Sequence, residues 1–238
     1  MEFREKVRYS DCNVKAELSL PRILEIVENA VSDECGEKGS DNITLREQYR
    51  AMWVVTKNKC RVERTPRWNE AFTVRCRCVK STRLVCYFLT EFVDGEGRTC
   101  VSSLMENCVI DLDTARFKKL DSIPCPHGDE GVEIDLKCAE PEGTESVPFT
   151  VEPMMIDYSR HLNNVKSLQV YFNSFALEEL EKLFAPRYTF TIHYCAQAFY
   201  GERLTMHKGR SGSVYGFHVK NEEGRSVVRA CLEVLGGV

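Results

Sequence analysis

Residues 156–166, IDYSRHLNNVK, bring several reactive side chains together in a short stretch. Asp157 can accept a proton or attack a carbonyl carbon, and His161 can carry a proton because an unperturbed histidine has a pKa of about 6.5. Ser159 lies between them, and two asparagines follow the histidine. This set of groups is suited to hydrolysis by an activated water or a carboxylate nucleophile.

The same residues are also typical of a helix start, where Asp, Ser and Asn side chains cap backbone N–H groups. Asn163 is therefore either a simple cap or part of a site. A helix start offers N–H donors and a positive dipole end, so an oxyanion could bind around Asn163, Asn164 and Val165. Helical apolar spacing follows at Val165, Leu168, Val170, Phe172, Phe175, Leu177 and Leu180.

The first half of the chain contains a second copy of this pattern. Residues 11–31, DCNVKAELSLPRILEIVENAV, also run from a polar turn into helical apolar spacing. Alignment of Glu17 with His161 places Asn13 opposite Asp157. The first copy therefore lacks the acid and the histidine, which predicts one site per chain, in the second half.

Strand-like segments follow each predicted helix, and similar glycine turns, VDGEGRTCV and KNEEGRSVV, join the last two strands of each half. Each half is predicted to be a long helix and an antiparallel sheet that wraps it, which gives an α+β fold. Residues 121–148 hold four of the eight prolines and are acidic. They are predicted to be a linker, with a short strand in VEIDL.

Composition narrows the class of protein. A net charge of −4 gives the chain no general attraction to nucleic acid. No apolar run reaches the roughly 18 residues of a membrane span, and the charged start MEFREKVRYSD has no signal-peptide core, so we expect a cytoplasmic protein. The twelve cysteines are expected to be thiols, and their spacing does not form the paired motif of a structural zinc site.

The repeated helix-and-sheet pattern and its motifs resemble the acyl-ACP thioesterase family of bacteria and plants, over most of the chain. The resemblance lies in RYSDCN, LSLPRIL, MWVV, IDLDTARFKKL and DYSRHLNNVK, the last being similar to the family stretch D-x-N-x-H-x-N-N-x-K. It implies two tandem hotdog modules, each a long central helix wrapped by an antiparallel β-sheet. Residues 1–120 would form the acyl tunnel, 121–148 the linker and 149–238 the catalytic module.

The resemblance also implies roles for individual residues. Asp157 and His161 correspond to the family aspartate and histidine, and Ser159 stands where the family has asparagine. Gln197 and Ala198 stand where the plant enzymes have glutamate and cysteine, so thiolate chemistry is not expected. Gln197 can hydrogen-bond a water but cannot take its proton.

The implied activity is hydrolysis of an acyl-ACP thioester to a free fatty acid and acyl carrier protein, which ends fatty acid synthesis, with no cofactor and no metal. Three alternatives remain. They are an acyl-CoA thioesterase of the hotdog superfamily, a hotdog dehydratase, and an acyl-binding protein whose catalysis has decayed. Ser159 and Gln197 keep the last one open.

Residues 57–83 hold nine basic and two acidic side chains. Because acyl carrier proteins are strongly acidic, this stretch predicts a docking surface. A solvated sheet face that discourages edge pairing is the alternative. Nucleic acid binding is not predicted, since aromatic residues do not alternate with the basic ones. A monomer and a homodimer both fit the sequence. The docking candidates are Arg61, Arg64, Arg67, Arg75 and Arg77.

Overall fold

A computed structural model describes residues 1–139, 141, 143–184 and 186–236. It contains a ten-stranded antiparallel sheet and four α-helices. The strands are β1 (Glu2–Lys6), β2 (Ala51–Val62), β3 (Ala71–Ser81), β4 (Val85–Val93), β5 (Thr99–Asp111), β6 (Glu145–Thr150), β7 (Tyr188–Tyr194), β8 (Arg203–Ser211), β9 (Val214–Asn221) and β10 (Ser226–Val234). The helices are α1 (Leu20–Glu37), α2 (Asn42–Tyr49), α3 (Asn164–Phe172) and α4 (Leu177–Leu183). The predicted α+β class is confirmed.

The strand order is symmetric about the centre of the sheet. It runs β1-β3-β4-β5-β2-β7-β10-β9-β8-β6, so each strand of the first half has a counterpart five strands later in the chain. β2 and β7 join the two halves as an antiparallel pair, with Val62 opposite Tyr188 and Lys57 opposite His193. The two halves of the sheet therefore have the same strand order in mirrored positions.

α1 forms because its apolar residues recur at helical spacing and a proline stands in its first turn. It begins after Ser19 and extends to Glu37, beyond the apolar stripe that predicted it. It packs against β3 and β4 and also contacts α3, so it bridges both halves of the chain. Its fully buried face includes Leu20, Ile23, Leu24, Val27, Ala30 and Val31.

The apolar spacing of the second half predicted one long helix, and this prediction was wrong. Residues 173–176 interrupt it and separate α3 from α4. Ser174 Oγ donates to the Tyr171 carbonyl at 2.6 Å, and the Glu179 carboxylate accepts the Ala176 N–H at 3.1 Å. These side chains satisfy backbone groups that a continuous helix would have bonded, so they favour a turn and a new helix start.

The predicted strand in VEIDL is also wrong, because residues 131–139 have no regular secondary structure. In contrast, the alternation in β3 is as the sequence indicated. Cys76 and Cys78 are buried, while Arg75 and Arg77 lie on the outer face. The cysteines form no disulfide in the described part of the chain, and nine are buried. None of the helices described has the length and apolar character that crossing a membrane requires.

The start of α2 gives a first testable prediction. Asp41 Oδ1 accepts the N–H groups of Ile43 and Thr44, each at 2.9 Å. We expect Asp41→Ala to lower the free energy of unfolding by about 1 kcal/mol, since these donors lose their acceptor. Asp41→Asn, which keeps an oxygen there, and Asp33→Ala, at an exposed position of α1, should stay close to wild type in urea denaturation. An equal loss in all three variants would contradict the capping role.

Candidate active site

A cavity of about 710 Å³ is lined by residues of both halves. Its apolar wall comes mainly from the first half, including Val31, Met52, Trp53, Val55 and Met105. Its polar wall contains every catalytic and helix-start residue singled out from the sequence except Val165, together with two carboxyl groups that were not, those of Glu28 and Asp41. Among its polar residues are Glu28, Asp157, Ser159, His161, Asn163, Asn164 and Gln197.

A tight turn positions the acid and the histidine. The Asp157 N–H donates to the His161 carbonyl at 3.1 Å, and the Arg160 N–H donates to the Asp157 carbonyl at 3.0 Å. Arg160 has a left-handed φ of 65°, which closes the turn. Ile156 and Leu162 form an antiparallel bridge at its base. Asp157 and His161 are therefore held opposite each other in the backbone.

The first half contains the same turn 144 residues earlier. The Asn13 N–H donates to the Glu17 carbonyl at 2.7 Å, Ala16 has a φ of 58°, and Ser19 is the N-cap of α1, as Asn163 is of α3. Neither Asn13 nor Glu17 is among the residues described as lining the large cavity. The two turns thus have the same backbone conformation. Only the second turn presents an acid and a histidine to the cavity.

The Asp157 carboxylate is oriented through one oxygen. Oδ1 accepts the Ser159 N–H at 2.8 Å, so the backbone of Ser159, rather than its hydroxyl, holds the aspartate. Within the described residues Oδ2 has no hydrogen-bond partner. That oxygen is free to face a substrate or a water molecule.

His161 is half-buried, and its ring contacts the Phe199 ring edge-on with centroids 5.1 Å apart. Burial lowers the pKa of His161 from its ordinary value; the negative charge of Asp157 acts against this, and the positive charge of Arg46 adds to it. The imidazole is therefore mainly neutral at pH 7, and one ring nitrogen can donate while the other accepts.

The N-terminus of α3 is only partly available to a ligand. Asn163 Oδ1 accepts the N–H groups of Val165 and Lys166, each at 3.0 Å, so Asn163 is the helix cap. The sequence predicted that an oxyanion could bind around Asn163, Asn164 and Val165. The Val165 N–H is already bonded to Asn163 Oδ1, so it is not free to bind an oxyanion. Among the described residues, the Asn164 N–H is the first-turn donor that lacks an acceptor.

Sequence reasoning missed Glu28 on α1. Its Oε1 accepts a hydrogen bond from Asn164 Nδ2 at 3.0 Å, across the contact between α1 and α3. Burial raises the pKa of the Glu28 carboxyl to about 7; the Asn164 bond lowers it, and the charges of Asp157 and Glu25 raise it further. One signal was present in the sequence, since Glu28 lies in helical register with the buried residues Leu24 and Val31.

The remaining candidates lie elsewhere or at the edge of the site. Gln197 is exposed, in the connection between β7 and β8, and borders the cavity. None of the five candidate arginines lines that cavity among the described residues. Each is already close to a carboxylate. The pairs are Arg61 with Glu63, Arg64 with Glu70 and Asp94, Arg67 with Glu17, Arg75 with Glu2, and Arg77 with Glu91 and Glu130.

The fold of this chain is similar to those of several solved thioesterases. An acyl-ACP thioesterase from Bacteroides thetaiotaomicron is 16% identical, with a TM-score of 0.80 over 98% of this chain and 96% of that one. An oleoyl thioesterase from Lactobacillus plantarum is 18% identical, with a TM-score of 0.83 over 99% and 96%. The 12:0-ACP thioesterase from Umbellularia californica is 17% identical, with a TM-score of 0.80 over 98% and 96%. Comparison with curated protein sequences gave no significant match.

At identities this low, the structural similarity establishes only a common fold. The family has to be assigned from the sequence itself. Residues 2–122 match the family model of the acyl-ACP thioesterase N-terminal domain, which covers just over half of the chain. The other half carries the turn that presents Asp157 and His161 to the cavity. On the strength of that sequence match, this chain is a thioester hydrolase that belongs to the acyl-ACP thioesterase family.

Proposed function

We propose that the protein hydrolyses fatty acyl thioesters of acyl carrier protein and releases a free fatty acid. The observation that carries the proposal is the meeting of Asp157, His161 and the α3 N-terminus in one cavity. Such a site supplies a carboxylate and an imidazole on one side and an N–H donor for the developing oxyanion on the other. The cavity continues past apolar side chains, which suits a fatty acyl chain.

We further propose that the chain consists of two tandem hotdog modules. The mirrored strand order and the duplicated turn support this arrangement. α1 would be the central helix of the first module, and α3 with α4 that of the second. β6 pairs with β8, so it belongs with the second module. The first module would shape the acyl tunnel through α1 and β2.

In the proposed reaction the thioester oxygen accepts a hydrogen bond from the Asn164 N–H. Asp157 Oδ2 either removes a proton from water or attacks the acyl carbon directly, and both routes break the bond between carbon and sulfur. The neutral His161 hydrogen-bonds the reacting oxygen and holds it beside Asp157. Ser159 holds Asp157 through its N–H, and Gln197 orients water at the mouth of the cavity.

Because the chain belongs to the acyl-ACP thioesterase family, acyl carrier protein is the leading candidate for the carrier. The candidate arginines lie close to carboxylates, so the basic stretch has less excess positive charge than the sequence suggested. Arg67 is the most available of them. Its side chain is 78% exposed and its nearest carboxylate, on Glu17, lies at 4.0 Å. We therefore propose Arg67 as the first contact for an acidic carrier.

The test compares fatty acid release from a chain-length series of acyl-ACPs and the matching acyl-CoAs. We expect a higher kcat/KM with acyl-ACP. Arg67→Glu should raise KM for acyl-ACP, and less so at high salt, while hydrolysis of acyl-CoA stays nearly unchanged. Arg50→Glu, at a similarly exposed arginine outside the candidate set, controls for net charge.

Each contrary outcome identifies a different alternative. A preference for acyl-CoA would favour the acyl-CoA thioesterase. Acyl binding without turnover on either carrier would favour an acyl-binding protein whose catalysis has decayed. Equal effects of Arg67→Glu and Arg50→Glu would remove Arg67 as a docking residue and leave the hydrolase in place.

A further inference from the structure

We propose that Glu28, on the helix of the first half, is the catalytic acid that protonates the sulfur of the leaving thiol. This inference rests on the proposed thioesterase function and deepens it. It assigns to the first half of the chain a chemical step, in addition to the shaping of the acyl tunnel.

The position of Glu28 is the first support. It lines the same cavity as Asp157 and His161, and it approaches the start of α3 from the opposite helix. Its Oε1 is held by Asn164 Nδ2 at 3.0 Å, and within the described residues Oε2 has no hydrogen-bond partner. The residue whose side chain holds Glu28 is also the one whose N–H is available to the thioester oxygen. The carboxyl group is thus fixed beside the place where the carbon–sulfur bond would lie.

Burial is the main reason why the protonated form of Glu28 is favoured, and the charges around it act in the same direction. Asp157 faces Glu28 from the turn before α3, and Glu25 lies one turn earlier on α1. The phenol of Tyr194 on β7 is also close, because the charge of Glu28 helps to raise the pKa of Tyr194. Arg46, the cation beside His161, is not among the groups that shift the Glu28 carboxyl. Burial remains the largest cause of the shift, and together these effects raise the pKa of Glu28 to about 7, so that the carboxyl group can be protonated near neutral pH.

The proton balance closes on either route open to Asp157. As the carbon–sulfur bond breaks, its electron pair moves to sulfur, and the sulfur takes the proton from Glu28 Oε2. If Asp157 acts as base, it has taken a proton from water, and solvent exchange returns a proton to Glu28. If Asp157 attacks directly, the ionised Glu28 takes a proton from the water that hydrolyses the anhydride. Both routes yield one thiol and one fatty acid.

Two carboxyl groups beside each other in one cavity, one of them with its pKa raised toward neutrality by burial, are the arrangement expected of an acid and base pair. A purely structural Glu28 would only need to accept the hydrogen bond from Asn164. Glutamine can accept that bond equally well, but its amide cannot protonate sulfur. Glu28→Gln therefore separates the two roles.

The experiment measures kcat/KM against pH for the full chain with two substrates, an acyl-ACP and an acyl thioester of an aromatic thiol. Aromatic thiols are more acidic and leave without a proton. We expect Glu28→Gln to lower kcat/KM about 100-fold on acyl-ACP and far less on the aromatic thioester. Wild-type kcat/KM on acyl-ACP should fall as pH rises above about 7, because Glu28 loses its proton, and this fall should vanish in Glu28→Gln.

Two further variants test the same pH limb. Asn164→Ala removes the bond that stabilises ionised Glu28, so the fall in rate should move to higher pH. Glu25→Gln, an exposed position on the same helix, should leave the maximal rate nearly unchanged and move the fall slightly to lower pH, because it removes a charge that raises the pKa of Glu28.

The outcomes separate this inference from the proposed function. Equal losses on both substrates, or a pH limb that persists in Glu28→Gln, would overturn the acid role and leave the thioesterase intact. Full activity of Glu28→Gln would do the same. A wild-type chain that hydrolyses neither acyl-ACP nor acyl-CoA would overturn the proposed function and with it the role of Glu28.

Discussion

Asp157→Asn is expected to lower kcat/KM for acyl-ACP at least about 100-fold, since that is a typical cost of removing an acid–base group. Asparagine keeps an oxygen that can accept the Ser159 N–H, so the turn should survive. What is lost is the free carboxylate oxygen that takes a proton or attacks carbon. The measurement is fatty acid release under kcat/KM conditions, beside acyl-ACP binding, which should stay close to wild type.

A matched control exists in the duplicated turn. Glu17 occupies in the first turn the place that His161 occupies in the second, so Glu17→Gln should keep the activity that His161→Gln loses.

Rapid quenching and mass spectrometry distinguish the two routes of Asp157, because direct attack leaves an acyl group on the enzyme and base catalysis does not. Asp157→Asn with activity near wild type would remove Asp157 from the chemistry.

The turn that carries Asp157 and His161 could be predicted from sequence because it is local. Asp157 and His161 are four residues apart, and a single backbone turn brings them together. The duplicated copy with Asn13 and Glu17 made the comparison possible without a structure. A local pattern of this kind depends little on how distant parts of the chain pack.

Glu28 could not be assigned in this way, because its role depends on the contact between α1 and α3. It lies 136 residues from Asn164 in the chain, and only tertiary packing brings the two side chains to 3.0 Å. Helical spacing placed Glu28 near the apolar face but could not say what it would meet. From the sequence alone, a carboxylate in that position could equally be a partly solvated surface residue.

The excess charge of the basic stretch was overestimated for the same physical reason. A count along the sequence gave excess positive charge, but the partners that offset it come from other strands. Arg75 pairs with Glu2 at 2.7 Å because β1 lies beside β3, and Arg77 pairs with Glu91 at 3.0 Å because β4 does. Charge along a strand therefore says little about charge on a face until the strand order is known.

Phe172→Ala is expected to lower the free energy of unfolding by about 3–5 kcal/mol, the usual cost of deleting a buried aromatic ring. The ring is 6% exposed and contacts Phe184, Phe190 and Phe217, with centroid distances of 5.1, 6.1 and 5.8 Å. It therefore ties the end of α3 to β7, to β9 and to Phe184 after α4. The measurement is urea denaturation with an unchanged m value.

Leu177→Ala is the control, because that side chain is 53% exposed and its loss should cost within about 0.5 kcal/mol. A similar small loss for Phe172→Ala would show that the cluster does not anchor α3. If the large loss is found, the variant should also lower kcat, since α3 carries the Asn164 N–H and the side chain that holds Glu28. The interruption after α3 then has a physical meaning. The turn at residues 173–176 lets Phe172 and Phe184 meet, and their packing fixes the helix whose opposite end forms the site.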